Sequence, residues 1–329
     1  MSDEPKALPA AEIPAQTLRT RPLGKTGLIV SELALGTWGL SGEAYGEVSE
    51  ADADGTVARA RELGVTLFDT ADSYGARGGD PHAERFEKRL GRLLDQDAAA
   101  IVCTKGGNDL EAAPARKRFD RAFLRRSAER SAERLRRAPH VYLLHHPTVA
   151  TLHRGEATGA LDELKKEGVI SHWGVAATDA DTARAALERG ASVIELAYNI
   201  FAQRDLHELA GEIVESGAGV LARSPLAYGL LCGTWPAGKT FAEGDHRRDR
   251  WTEAELRQRL AEVAALRPLV HGDIHTIRAV ALRYVLCNRM VASVVVGVRT
   301  PAQLEANVRA IGAGPPYLPD EDLSRIGLM

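Results

Sequence analysis

Cysteine is scarce in this chain: three in 329 residues, Cys103, Cys232 and Cys287, far apart and with no CxxC pair. That excludes a disulfide framework and a cysteine zinc site, and it fits a reducing compartment. Net charge is nearly absent as well, with 42 basic against 45 acidic residues giving −3. Nothing in that balance calls for nucleic acid or an anionic membrane as partner. No run approaches the ~18 uninterrupted apolar residues that a membrane span needs. The opening Met1-Ser2-Asp3-Glu4-Pro5 is acidic where a secretory signal is basic. A soluble, cytoplasmic protein is expected. Two chemical signatures are missing too. No GxGxxG follows any candidate strand, and His82, His172 and the acidic residues show no HExxH spacing. No metal is expected.

What is present is ordinary globular composition, 44% hydrophobic and 26% charged. Residues 1–16, rich in Ala and Pro, read as a flexible tail, and 17–329 as a single domain. Thr17–Pro22 and Leu28–Val30 flank Gly24-Lys25-Thr26-Gly27 as a β-hairpin. From Leu33 onward, eight short apolar runs begin near Leu33, Val65, Ile101, Val141, His172, Val193, Val220 and Ser293. Stretches with helical periodicity follow them, at about 49–63, 83–94, 120–137, 156–167, 179–188, 205–215 and 301–311. Continuously apolar strands are buried on both faces, as in a parallel sheet. Eight strand–helix units joined by right-handed crossovers predict a (β/α)8 TIM barrel. One segment breaks the period. Ser224 to Ala292 is far longer than one helical return, carries the charged stretch 243–250, and predicts helices at 252–265 and 274–286. At a barrel mouth such an insertion forms a lid, a substrate wall or a packed surface excursion.

Barrel chemistry sits where strands end. The second, third and fourth strands end in Asp69, Lys105 and His145, and Tyr74 stands in the loop after Asp69. Consecutive strands are neighbours, so these four side chains converge on one rim. A phenol titrates near ~10. An adjacent ammonium, Lys105, lowers that value, and Asp69 keeps the ammonium charged and oriented. His145 offers a hydrogen bond to a carbonyl oxygen. The set is equipped to move a proton to or from an oxygen bound to carbon. Alternation along a strand keeps His145 and His146 from ligating one metal ion. The stretch 116–137, with ten basic and three acidic residues, reads as a solvated outer helix, not a nucleic-acid face.

The blocks Phe68-Asp69-Thr70-Ala71-Asp72-Ser73-Tyr74-Gly75, Thr104-Lys105 and Leu143-Leu144-His145-His146-Pro147 resemble signatures of the aldo-keto reductase superfamily. The opening 23–28 with Leu35-Gly36-Thr37-Trp38, the segment 224–231 and the segment 297–307 resemble its remaining motifs, in unbroken order over about 19–313. The resemblance implies a barrel oxidoreductase that reduces an aldehyde, ketone or sugar carbonyl, or runs the reverse. Tyr74 is then the general acid, Lys105 and Asp69 its tuners, and His145 the group that orients the carbonyl. NADP(H) is the implied cofactor, with NAD(H) the alternative. The implied cofactor residues are Gly36, Thr37, Trp38, Glu195, Arg223, Ser224, Pro225, Leu226, Gly229, Gly297, Val298, Arg299, Gln303 and Asn307. Trp38, Tyr45 and His146 are the implied substrate wall. Arg299 takes the place that meets an adenosine 2′-phosphate, and Asn307 the adenine. The sequence departs from the family's pattern at Ala176-Ala177, Glu195, Arg223 and Gln303, which leaves Thr178, Asn199 or backbone groups to hold the carboxamide. Two other functions fit parts of the pattern. One is a cofactor-binding regulatory barrel acting through a protein partner. The other is a lyase using Lys105 as a Schiff-base amine.

Overall fold

The computed structural model describes residues 18–76 and 85–327. The tail expected over 1–16, residue Thr17 of the hairpin, His82, and the helix start expected near Ala83 lie outside the described residues. Strands β1 (Thr20–Pro22) and β2 (Ile29–Ser31) form the antiparallel hairpin. The barrel strands are β3 (Leu33–Gly36), β4 (Leu67–Asp69) and β5 (Ile101–Gly106). A two-stranded ribbon, β6 (Asn108–Asp109) with β7 (Arg116–Lys117), comes next. The barrel continues with β8 (Val141–His145), β9 (His172–Ala176), β10 (Val193–Ala197), β11 (Gly219–Arg223) and β12 (Val291–Gly297). All eight barrel pairings are parallel, and β12 pairs with β3 to close the ring. The expected TIM barrel is the observed one.

Caps set the helix boundaries. Helix α1 (Glu50–Glu62) starts where Ser49 Oγ accepts from Asp52 N–H. Helices α2 (Phe86–Leu93), α3 (Arg121–Leu135, capped by Asp120), α4 (Val149–Arg154), α5 (Glu156–Lys166) and α6 (Ala180–Glu188, capped by Asp179) follow. The single helix expected over 205–215 is two, α7 (Arg204–Glu208) and α8 (Ala210–Ser216), broken at Leu209. The insertion carries α9 (Glu253–Ala265), with a full capping box from Thr252 and Glu255, and α10 (Ile277–Cys287). Helices α11 (Pro301–Ala310) and α12 (Asp320–Gly327) end the chain. Among the described residues no helix is long and apolar enough to cross a membrane.

Two apolar layers hold the barrel. The larger lies between the strands and the outer helices. The smaller fills the barrel interior, where Leu67, Cys103, Leu143, Val193 and Leu221 meet, with Leu23 and Val30 of the hairpin region plugging the N-terminal end. Gly24 makes that plug fit. Its φ is +54°, and a Cβ there would lie 2.3 Å from Gly219 N.

Candidate active site

Strand periodicity places the site. Side chains two residues apart face the same way. The inward residues Leu67, Cys103, Leu143, Val193 and Leu221 are therefore followed, one step toward the C-terminal rim, by Asp69, Lys105, His145, Glu195 and Arg223. The apolar interior thus ends in a ring of charge. The chain after β4 stays on the barrel because Thr70 N–H donates to Cys103 O and Asp72 N–H to Lys105 O. A tight turn then brings Tyr74 back over the rim.

Lys105 is the centre of the ring and only 1% exposed. Its Nζ donates to both oxygens of Asp69, at 2.5 and 2.6 Å, and to Thr70 O at 3.1 Å. Glu195 Oε2 lies 3.2 Å from the same nitrogen. Two carboxylates therefore share one ammonium. Burial alone would lower the Lys105 pKa, but Asp69 and Glu195 together hold it well above its usual value. Burial, and then Glu195, pushes Asp69 upward. Asp69, Cys103 and Glu195 have donor atoms within 4.8 Å of one another. Lys105 Nζ already sits against the two carboxylates there, so that group is an ion-pair cluster.

Tyr74 lies above this cluster, with Lys105 Nζ 5.6 Å from its ring centre. Sequence reasoning expected the ammonium to bring the phenol pKa down. The net direction is the opposite. Burial is the largest effect and raises it, Lys105 lowers it, and Asp69 and Glu195 oppose Lys105. The phenol therefore holds its proton firmly. The His145 ring meets Tyr74 edge-on at 6.2 Å, and burial, then Lys117 and Lys105, keep its pKa well below the usual histidine value. His146 leaves the strand with φ +56°, so its ring sits 4.7 Å from that of His145 and does not point away. The alternation argument fails at this strand end because His146 is no longer in extended backbone.

These groups open on a cavity of about 390 Å³. Its wall includes Asp69, Tyr74, Lys105, His145, His146, Trp38 and Tyr45, and from the expected cofactor set Gly36, Glu195, Arg223, Ser224, Pro225, Leu226, Gly229 and Gly297. Five expected residues lie off it. Thr37 is fully buried with Oγ1 unpartnered, and Val298 is buried. Arg299 Nη2 donates to Glu47 O, and its Nε is buried and unpartnered. Gln303 Oε1 accepts from Arg299 N–H, and Asn307 is buried in α11. Thr178 turns to Asp179 and Asn199 to Ser224 O, so both are engaged locally. Ser73 and Tyr228, from the motif segments but given no role there, also line the cavity, as does Glu43 from outside any motif.

Two features of the rim concern ligands. Ser224, Ala227, Tyr228 and Gly229 all have positive φ, from +45° to +96°. The run is a tight turn closed on itself, with Ala227 N–H donating to Ser224 O and Gly229 N–H to Leu226 O, at the cost of backbone strain for the three non-glycine residues. Nearby, α11 begins with Thr300 as cap and Pro301 in its first turn, a start that leaves free N–H groups at a positive helix end. Over the mouth lies the strap 242–251. His246 meets Trp38 at 4.7 Å and Tyr45 at 5.1 Å with tilted rings, Arg247 covers Tyr45 at 4.6 Å, and Arg250 covers Tyr228 at 3.4 Å. One backbone bond, His246 N–H to Ala44 O, ties the strap down there.

Fold and rim together define a barrel oxidoreductase, and comparison with known proteins specifies the family. The aldo/keto reductase family model matches residues 32–327, and the chain belongs to that family. It is 31% identical over 303 residues to L-galactose dehydrogenase of Arabidopsis thaliana, covering 89% of this chain and 88% of that one. It is 27% identical over 303 residues to the NADH-specific methylglyoxal reductase of Escherichia coli, covering 88% and 92%. Among solved structures, a holo aldo-keto reductase of Bacillus halodurans superposes with TM-score 0.77 at 28% identity, covering 94% and 96%. The family's nicotinamide cofactors and its dehydrogenase and reductase activities set the frame for this chain.

Proposed function

We propose that this protein is a cytoplasmic NAD(P)H-dependent reductase of a small aldehyde, ketone or sugar carbonyl. The observation that carries the reading is the buried Asp69–Lys105–Glu195 cluster beneath Tyr74, with His145 beside it, on one cavity. The rim suits a nicotinamide dinucleotide: the start of α11 would meet its phosphates, and Arg299 an adenosine 2′-phosphate. A bound nicotinamide would supply hydride to the carbonyl carbon. As the oxygen gains charge, Tyr74 Oη gives it a proton, forming the alcohol. The Lys105 ammonium stabilises the phenolate left behind. His145 donates a hydrogen bond that fixes the carbonyl oxygen next to Tyr74. Trp38, Tyr45 and His146 would wall the substrate, and Arg223 would offer its flat guanidinium to a nicotinamide ring.

A Schiff-base role for Lys105 needs a neutral, free amine. Burial between two carboxylates, with the pKa held up, opposes it. The test is a panel of aldehydes, ketones and sugars assayed with NADPH and NADH by absorbance, beside Tyr74→Phe. Turnover that depends on Tyr74 supports the proposal. A folded, cofactor-binding protein with no turnover on any carbonyl overturns it and favours the regulatory reading.

A further inference from the structure

The ribbon β6–β7 plays no part in the motifs, yet it reaches the site. Asn108 pairs with Lys117 in its register. Asn108 Nδ2 lies 3.0 Å from His145 Nδ1 and 3.3 Å from Asp72 Oδ1. Lys117 Nζ donates to Asn108 Oδ1 at 2.6 Å and to His145 O at 2.7 Å. The orientation of a side-chain amide follows from its partners. Lys117 has only protons to offer, so it demands the amide oxygen. Asp72 Oδ1 accepts, so it demands the NH2. Both requirements turn the NH2 toward His145, which can meet it only with a bare Nδ1.

We propose that Asn108, oriented by Lys117, is a positioning residue that fixes His145 as the Nε2–H tautomer and so sets which nitrogen donates to the carbonyl oxygen. The inference rests on the reductase reading of this site. Burial, and then the nearby cations Lys117, Lys105 and Arg223, disfavour a charged imidazole. A neutral ring has one N–H. With Nδ1 occupied as acceptor, that N–H is at Nε2, the nitrogen left for the cavity.

The test is ¹⁵N NMR of the histidine-labelled full chain at neutral pH, with the His145 signal assigned by its loss in His145→Gln. The expected result is a protonated Nε2 and a bare Nδ1 in the parent. Asn108→Asp places an acceptor at Nδ1, so the ring proton moves there and kcat falls about 10–100-fold, as for a lost orienting partner. Lys117→Met frees the amide to rotate, mixes the tautomers, and carries the same test if the aspartate variant does not fold. A parent ring protonated at Nδ1 overturns the proposal. So does a folded Asn108→Asp with unchanged tautomer and kcat. Because the NMR reading needs no turnover, the expected tautomer in a chain without reductase activity supports this assignment while overturning the function.

Discussion

Replacing Glu195 with glutamine removes one of the two negative charges around Lys105 while keeping size and shape. At an effective dielectric of about 20, the Glu195–Lys105 attraction at 3.2 Å is about 5 kcal/mol. Repulsion between Glu195 and Asp69, with oxygens within 4.8 Å, is about 3.5 kcal/mol or more. The charge thus gains at most about 1.5 kcal/mol from its neighbours, less than the several kcal/mol that burying a carboxylate takes. Lys105 keeps its two bonds to Asp69 in the variant. Glu195→Gln is therefore expected to stabilise the fold by about 1–3 kcal/mol at pH 8, raising Tm by roughly 2–6 °C. The pH dependence supplies the sharper sign. Asp69 is pushed up by burial and then by Glu195, so the folded chain holds a proton that the unfolded chain has released. Stability then falls as pH rises from about 4 toward neutrality. In the variant Asp69 titrates lower, and the fall is shallower. Asp72, pushed up to about 7 by burial, adds the same slope to both proteins, so the difference between them isolates the cluster. Urea unfolding from pH 5 to 8.5 measures it. A variant less stable than the parent at pH 8, or one with the parent's slope, refutes the charge argument.

Tyr74→Phe keeps the ring and removes the proton donor. Turnover should drop ~10²–10⁴-fold, while quenching of tryptophan fluorescence by cofactor persists; near-parental turnover removes Tyr74 from the chemistry. Arg299→Ala should weaken NADPH binding about 10–150-fold, the worth of one charge-assisted bond, and leave NADH nearly unchanged by titration. Equal losses for both cofactors would place Arg299 away from the 2′-phosphate. Lys105→Met leaves Asp69 and Glu195 buried without a cation, and breaking a buried pair in this way costs about 3–5 kcal/mol. Urea midpoints at pH 8 should fall accordingly, and recover in part at pH 5, where the acids take up protons.

The barrel was legible because its strands are short unbroken apolar runs, and the rim because a polar residue ends three of them. Asp69, Lys105 and His145 needed only that rule. Glu195 was reached through resemblance, as a cofactor contact; its place against Lys105 follows from inward register two residues beyond Val193, between strands that are not neighbours. That signal was present and unused. The ribbon Asn108–Asp109 with Arg116–Lys117 was not legible, since two-residue strands give no alternation. Helix α12 and the break at Leu209 were also missed, the first because it follows the last repeat unit and the second because Leu209 leaves helical backbone inside an unbroken periodic pattern. The direction of the Tyr74 shift was misjudged because sequence shows the neighbouring ammonium but not the depth of burial.

Apart from the hydrogen bonds of His246 N–H to Ala44 O and Arg247 Nη1 to Tyr228 O, the strap 242–251 grips the barrel through ring and guanidinium faces. Guanidinium and ring planes slide over one another with little change in energy, unlike interdigitated methyl groups, whose fit is lost by small displacements. The mouth and the barrel are therefore mechanically separate: the apolar interior ends at the ring of charge below Tyr74, and nothing in it depends on His246 or Arg247. On the proposed reading, changes in the strap would alter which molecules enter while sparing the scaffold that holds Lys105. The residues that would admit a substrate and those that would move its proton lie, on that reading, in different parts of the chain.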